Sequence, residues 1–212
     1  IIGHQLEIKW DIPDGIRADT LDEKLLRKMK TAGCVDVTIG IESGNTRVLN
    51  EIIKKNTSLE KVMTIAKTCA ALELQLNAFY VIGFPGETLE EIGETIDLAL
   101  DLYGKYQVIP YLFLATPLYG TELYEICRNN GFIMEEPTDE QLSTGTFLFG
   151  DPIISTADFS KNDLRKMVLY FILQLRKLGP PSYIREFYEK PKSGIFYRRN
   201  IFKRYKIKVK KY

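Results

Sequence analysis

Residues 37–55 read VTIGIESGNTRVLNEIIKK. The opening residues are apolar and β-branched, as in a buried strand. The run ends at Gly40-Ile41-Glu42-Ser43-Gly44, which sets a carboxylate and a hydroxyl between two glycines where a strand gives way to a helix. In parallel α/β folds, ligands lie at the carboxyl ends of strands. This junction is therefore the first place to look for a site. A lone carboxylate at a helix entry is also what the helix dipole favours, so Glu42 by itself leaves both readings open.

Outward from this junction one pattern recurs from residue 5 to about residue 130: an apolar strand, a turn, a capping signal and an amphipathic helix. Strands are expected over residues 5–10 (QLEIKW), 35–41, 75–82 and 107–115. Capping boxes are expected at Thr20 with Glu23, Thr57 with Glu60 and Thr88 with Glu91. The helices behind them carry apolar stripes: Leu21, Leu25, Leu26 and Met29; then Val62, Ile65, Ala66 and Cys69; then Leu89, Ile92, Ile96, Ala99 and Leu100. A further helix runs from Thr121 to Gly131. Strands separated by helices at this spacing predict right-handed βαβ crossovers and a parallel sheet, an α/β fold.

A parallel sheet covered on both sides has almost wholly apolar strands. Here each early strand has a polar face by two-residue alternation: Gln5, Glu7 and Lys9; then Asp36, Thr38, Gly40 and Glu42; then Gln75 and Asn77. Either these faces reach solvent, or the sheet curves around a polar lumen. Gly83-Phe84-Pro85-Gly86-Glu87 follows the third strand, where glycine allows close approach of the backbone to a ligand and proline stiffens the loop. An ordinary tight turn is the commoner origin of a single Gly-Pro loop.

The chain has 212 residues, of which 45% are hydrophobic and 27% charged, an ordinary globular composition. It has no apolar run long enough to span a membrane and no signal-peptide pattern. Cys34, Cys69 and Cys127 are too scattered for a metal site or a disulfide framework, which suggests reduced thiols in the cytoplasm. His4 is the only histidine, and no Ser/His/Asp or Cys/His set can be assembled, which argues against a hydrolase.

Taken together, AGC before the second strand, IGIESGN at its end, VLNEIIKK after it, FYVIGFPGET after the third and ATPLYGTELYE at 115–125 closely resemble the radical S-adenosylmethionine (SAM) superfamily, in particular its cobalamin-dependent branch. The resemblance covers residues 5–130 and implies part of a (β/α)6 barrel, with the chain's strands as its third to sixth. It implies a SAM pocket lined by Glu42 and Ser43, with Lys54 in the following helix toward the methionine carboxylate. Gly83, Phe84 and Pro85 would lie beside the adenine, with Arg17 and Asn77 as further lumen candidates. It implies reductive cleavage of SAM to a 5′-deoxyadenosyl radical and, in the cobalamin branch, methyl transfer to a small-molecule or lipid substrate.

The sequence departs from the family by lacking the CxxxCxxC loop that would ligate a [4Fe–4S] cluster and the glycine-rich stretch after the second barrel strand. Both are expected upstream of Ile1, in an N-terminal portion of the same protein, so these residues alone are expected to be inactive. A non-catalytic half-barrel that keeps a binding or scaffold role is the alternative. A barrel lyase using Lys9 as a Schiff-base residue is a third reading.

Residues 131–212 are expected to form a connecting region, one helix over 160–178 and a basic tail. Ser160 and Asp163 start that helix, and Leu164, Met167, Val168, Phe171, Leu175 and Leu178 form its stripe. Residues 192–212 carry nine Lys or Arg and no acid, a charge of +9 against −8 for the remainder. Three readings stay open for this tail: a solvated end, a contact with an anionic membrane at its inner face, and, least favoured, nucleic acid.

Overall fold

The computed structural model describes residues 2–4, 6–55, 57–146, 148 and 150–182. They fall into two compact units, one ending at Ala115 and one beginning at Thr116. The tail at 192–212, with the membrane and nucleic-acid readings attached to it, lies outside the described residues.

The first unit is a four-stranded parallel sheet: β1 (Trp10–Ile16), β2 (Cys34–Glu42), β3 (Gln75–Ile82) and β4 (Ile109–Leu114). Helices α1 (Glu23–Thr31), α2 (Leu59–Ala71) and α3 (Leu89–Tyr106) connect them. The strand order is β1-β2-β3-β4 and every neighbouring pair is parallel. When successive right-handed crossovers step in one direction, all their helices fall on one face of the sheet. The other face takes no crossover helix, as in a barrel wall and unlike a doubly wound sheet.

The burial pattern follows. Val37, Ile39 and Ile41 of β2, Leu76, Ala78, Tyr80 and Ile82 of β3, and Leu112 and Leu114 of β4 are buried on the helix side. They meet Leu26 and Met29 of α1, Val62, Ile65, Ala66 and Cys69 of α2, and Ile92, Ile96, Ala99 and Leu102 of α3. The opposite face carries Asp36, Thr38 and Gly40, then Asn77, Phe79 and Val81, then Tyr111 and Phe113.

Several expectations are corrected. The first strand is Trp10–Ile16, not residues 5–10, because the Trp10 amide pairs with the Gly33 carbonyl and the indole donates to the Ala32 carbonyl, which starts the ladder at Trp10. Lys9 thus precedes β1, at the amino end of the sheet, away from any ligand end. As the sheet edge, β1 is broken by two register shifts and carries exposed Asp11, Pro13 and Asp14, features that blunt edge pairing.

The cap of α1 is Asp22, whose carboxylate accepts from the Leu25 amide, while the Thr20 hydroxyl turns back to the Arg17 carbonyl. The cap of α2 is Ser58, not Thr57. The capping box at Thr88 and Glu91 forms as expected. Leu25 and Leu89 of the expected stripes are exposed.

In the second unit, α4 (Glu122–Asn129), α5 (Asp139–Gly145) and α6 (Lys161–Leu178) follow one another. Helix α5 lies in the expected connecting region and starts with its own capping box, Thr138 with Gln141. In α6, Leu164, Val168, Phe171, Ile172 and Leu175 are buried, whereas Leu178 is exposed at the end of the helix. Among the described residues, no helix is long and apolar enough to cross a membrane.

Candidate functional site

The site is built at the carboxyl ends of β1, β2 and β3. At the end of β2 the strand makes an irregular step, so that Gly40 pairs with Phe79 but Glu42 with Tyr80. Glu42 takes a left-handed backbone, φ 71°. Its carboxylate lies 2.8 Å from the Lys55 ammonium, which also donates to the Gly40 carbonyl at 2.8 Å. Both side chains are largely but not wholly removed from solvent, 18% exposed for Lys55 and 24% for Glu42. A Cβ on residue 40 would come within 2.5 Å of Glu42 Oε1 and 2.9 Å of Lys55 Nζ, so glycine is what lets the pair settle against the strand. Gly15 of β1 lies nearby, its Cβ position 3.9 Å from the Gly40 nitrogen and 3.5 Å from the Phe79 ring.

After β1, Arg17 forks onto the Asp19 carboxylate at 2.8–3.0 Å. Asp19 in turn feels the Lys55 charge, so the cluster at this end of the sheet reads Arg17, Asp19, Lys55, Glu42.

Ser43 and Gly44 serve a different purpose. The Ser43 hydroxyl is fully buried, bonded to the Thr95 hydroxyl of α3 at 2.9 Å and accepting from the Asn45 amide. The Gly44 amide also donates to Thr95, and a Cβ on Gly44 would come within 2.6 Å of the Glu94 carbonyl oxygen and 2.8 Å of Thr95 Cα. The Ser-Gly pair docks the segment after β2 onto the backbone of α3. The Ser43 side chain is thus turned to α3 instead of an open pocket.

The GFPGE turn is held from two sides. Phe84 to Glu87 forms a β-turn, with the Glu87 amide donating to the Phe84 carbonyl at 3.1 Å, Pro85 in the second position and Gly86 at φ 87° in the third, the requirements of type II. From inside, Glu87 Oε2 accepts from the amides of Gly83 and Phe84, at 2.7 and 2.8 Å. From outside, Arg47 donates twice to Glu91 at 2.6 Å and once to the Gly86 carbonyl at 2.8 Å. The Arg47 guanidinium, with the Thr88 cap, holds the Glu91 carboxyl down at about 2. Burial pushes the Glu87 carboxyl up to about 7.

Of the expected residues, Glu42, Arg17, Gly83, Phe84 and Pro85 thus stand at the ligand end of the sheet. Lys54 does not occupy a helix: Val48–Ile52 is a single π-helical turn, and Lys54 follows it with φ 58°. The cation on Glu42 is its neighbour, Lys55. Asn77 lies lower on the face without crossover helices, where it donates to Asp36 at 2.6 Å and Thr38 at 3.2 Å. Burial raises the Asp36 carboxyl, with Asp11 adding to the rise and Asn77 opposing it. Edge-on contacts of Phe79 with Tyr111 and Phe113 complete that face. Sequence reasoning missed Lys55, Arg47 and Glu87. The first was one residue from its guess; the other two sit in motifs already noted but act through tertiary contacts.

Residues 12–99 match the model of the radical SAM superfamily. The match runs from β1 into α3. The chain is 33% identical over 138 residues to cytidylyl-2-hydroxyethylphosphonate methyltransferase from Streptomyces wedmorensis, covering 62% of this chain and 25% of that protein. It is 30% identical over 186 residues to an uncharacterised methyltransferase from Pyrococcus horikoshii, covering 87% of this chain and 37% of that one. The chain thus spans a quarter to somewhat over a third of these relatives' lengths. Its fold is similar to that of coproporphyrinogen III oxidase from Escherichia coli, a radical SAM enzyme, with TM-score 0.55 and 14% identity over 81% of this chain and 32% of that one. The parallel sheet is accordingly part of a radical SAM barrel, followed by a helical extension.

That superfamily implies SAM and a [4Fe–4S] cluster, and the chain fits them unequally. The Glu42–Lys55 pair, seated on buried Gly40 and still partly open to solvent, offers one charge of each sign to a zwitterionic group. The thiols do not fit a cluster. Cys34, Cys69 and Cys127 are buried, and burial raises Cys34 and pushes Cys69 up to about 12 and Cys127 to about 11, away from the thiolate a cluster needs. Among the described residues, no three His, Cys, Asp or Glu gather into a metal site.

Proposed function

We propose that these residues form the SAM-binding side of a radical SAM methyltransferase, its cluster thiolates coming from a part of the protein outside these 212 residues. The observation that carries this reading is the Lys55–Glu42 pair seated on Gly40 at the carboxyl end of β2. An ammonium held by a carboxylate and a backbone carbonyl is fixed in place, and a zwitterionic ligand can be read by both charges. Glu42 would take an ammonium or ribose hydroxyls, Lys55 a carboxylate. Arg17 stands one strand away as a second cation, and the Gly83–Pro85 turn offers backbone to a flat base.

When bound, SAM supplies the methyl group or the adenosyl radical; the residues described here bind and orient it. Two methyltransferase relatives support methylation as the outcome, and cobalamin use follows from the sequence resemblance. The substrate would be a small molecule or a lipid. Soluble placement in the cytoplasm, with a peripheral membrane contact through the basic tail, completes the proposal.

The test is anaerobic reconstitution of the full-length protein with iron and sulfide, followed by dithionite and SAM. Formation of 5′-deoxyadenosine, or methyl transfer to an added substrate, is the expected result. A full-length protein that binds no SAM in equilibrium dialysis would leave the non-catalytic half-barrel as the better account.

A further inference from the structure

Thr57 fits the capping pattern at the head of α2, yet Ser58 takes the cap and Thr57 is left without that role. The residue is buried, only 6% exposed, and its hydroxyl has no partner among the described residues. A buried hydroxyl that bonds nothing is destabilising, and a valine would fill the same volume without that cost.

The surroundings give this hydroxyl a use. Thr57 lines a groove of about 450 Å³ together with Thr46, Asn50, Ser58, Leu59 and Glu60. Thr46 and Asn50 belong to the segment of the π-helical turn and are exposed; the other residues open α2. The Thr57 amide is bonded to the Lys55 carbonyl at 2.7 Å, which holds its backbone in place. Ser58 accepts from the Lys61 amide, and the amides of Leu59 and Glu60, the first two of a 13-residue helix, have no partner among the described residues. Two free amides at the positive end of a helix, three hydroxyls and the Asn50 amide thus gather as donors in one groove, an arrangement that suits an oxyanion.

We infer that this groove binds the phosphate group of a small organic ligand. The volume lies in the range of small-molecule sites and leaves room for the organic part beside the phosphate. Glu60, the one carboxylate among the lining residues, decides between oxyanions. A phosphate that keeps a proton donates its P–OH to that carboxylate, whereas sulfate has no proton near neutral pH and is repelled. The inference goes beyond the SAM-site reading and does not rest on it: it gives the second ligand of the protein a phosphate and a place to hold it.

The experiment measures dissociation constants of inorganic phosphate, sulfate and glycerol 3-phosphate for the full-length protein by calorimetry at pH 6.5, with thermal melts alongside. Phosphate should bind in about the millimolar range, glycerol 3-phosphate about tenfold more tightly and sulfate about tenfold more weakly. Thr57→Val should lose about tenfold in affinity for both phosphates, yet melt no lower than wild type without ligand, because it removes only an unbonded hydroxyl. Thr57→Ser should keep the affinity, and Glu60→Gln should bring sulfate to within about threefold of phosphate. A wild type that binds no phosphate, or equal binding by wild type and Thr57→Val, overturns the inference. Equal affinities for phosphate and glycerol 3-phosphate overturn its organic half and leave free phosphate as the ligand. If Thr57→Val does not fold, Asn50→Ala at its exposed position decides: a several-fold loss of phosphate affinity supports the inference and an unchanged affinity overturns it.

Discussion

Lys55 reaches back across Gly40 to Glu42, bonding the glycine's carbonyl and the carboxylate at 2.8 Å each. The bond joins the end of a strand to the loop that follows it, and it engages Glu42 at φ 71°, a costly conformation for a side chain with a Cβ. Glycine at 40 gives the pair room without giving the strand freedom.

Gly40→Ala should therefore separate binding from stability. The added methyl meets only the ends of two flexible side chains, so stability should change by less than about 1 kcal/mol. The displaced pair should cost about tenfold in affinity for SAM. Lys55→Met should weaken SAM at least as much, and Lys54→Met should not. Denaturant midpoints and equilibrium dialysis on the same preparations check this; equal losses at 54 and 55 would count against the pairing.

Gly44→Ala should behave in the opposite way. Its Cβ would meet the backbone of α3, which cannot move aside without separating helix from sheet. A loss of about 3 kcal/mol is expected, against about 2 kcal/mol for Ser43→Ala, which removes the hydrogen bonds with the Thr95 hydroxyl and from the Asn45 amide. Thermal melts of the two variants would distinguish backbone contact from side-chain bonding.

The Arg47–Glu91 bridge sets the acid limit. The Glu91 carboxyl is lowered from 4.5 to about 2, chiefly by the bond from Arg47. A lowered acid contributes stability that is complete above the unfolded value and is lost as pH falls through the folded one. Wild-type stability should therefore decline between about pH 4.5 and pH 2 through this group, and Arg47→Ala should flatten that decline while lowering stability at pH 7. Melting temperatures across this range provide the check.

Glu87 acts with the reverse sign. Its carboxyl is raised from 4.5 to about 7, so the folded protein keeps a proton that the unfolded chain has released. Stability from this group is complete below about pH 4.5 and falls as pH rises to about 7, by at most about 3 kcal/mol. Glu87→Gln carries no such window, so its stability should gain on wild type between pH 4 and pH 8. A constant difference between the two proteins over that range would show that Glu87 does not titrate there.

How much was legible beforehand follows from what local chemistry can encode. The strands β2, β3 and β4 lie close to their expected positions because two-residue alternation and the intervening helix stripes are short-range signals. β1 was misplaced because QLEIKW alternates as well as WDIPDGI, and only pairing with β2 through Trp10 and Gly33 selects the second. Thr20 and Thr57 satisfied the capping pattern, yet Asp22 and Ser58 cap the helices; which of two nearby acceptors reaches the third amide depends on where the preceding chain enters.

The sequence by itself determined the order of strands and helices, the direction of each crossover and the family that the segments resemble, since these rest on periodicity, spacing and motif. Tertiary structure decided which residues meet. It chose Lys55 over Lys54 for Glu42, turned Ser43 to Thr95, and placed Glu87 beneath the Gly83 turn. Neighbouring residues on a chain can point in opposite directions, and only the packing of α3 and the loops against the sheet fixes which way each one faces.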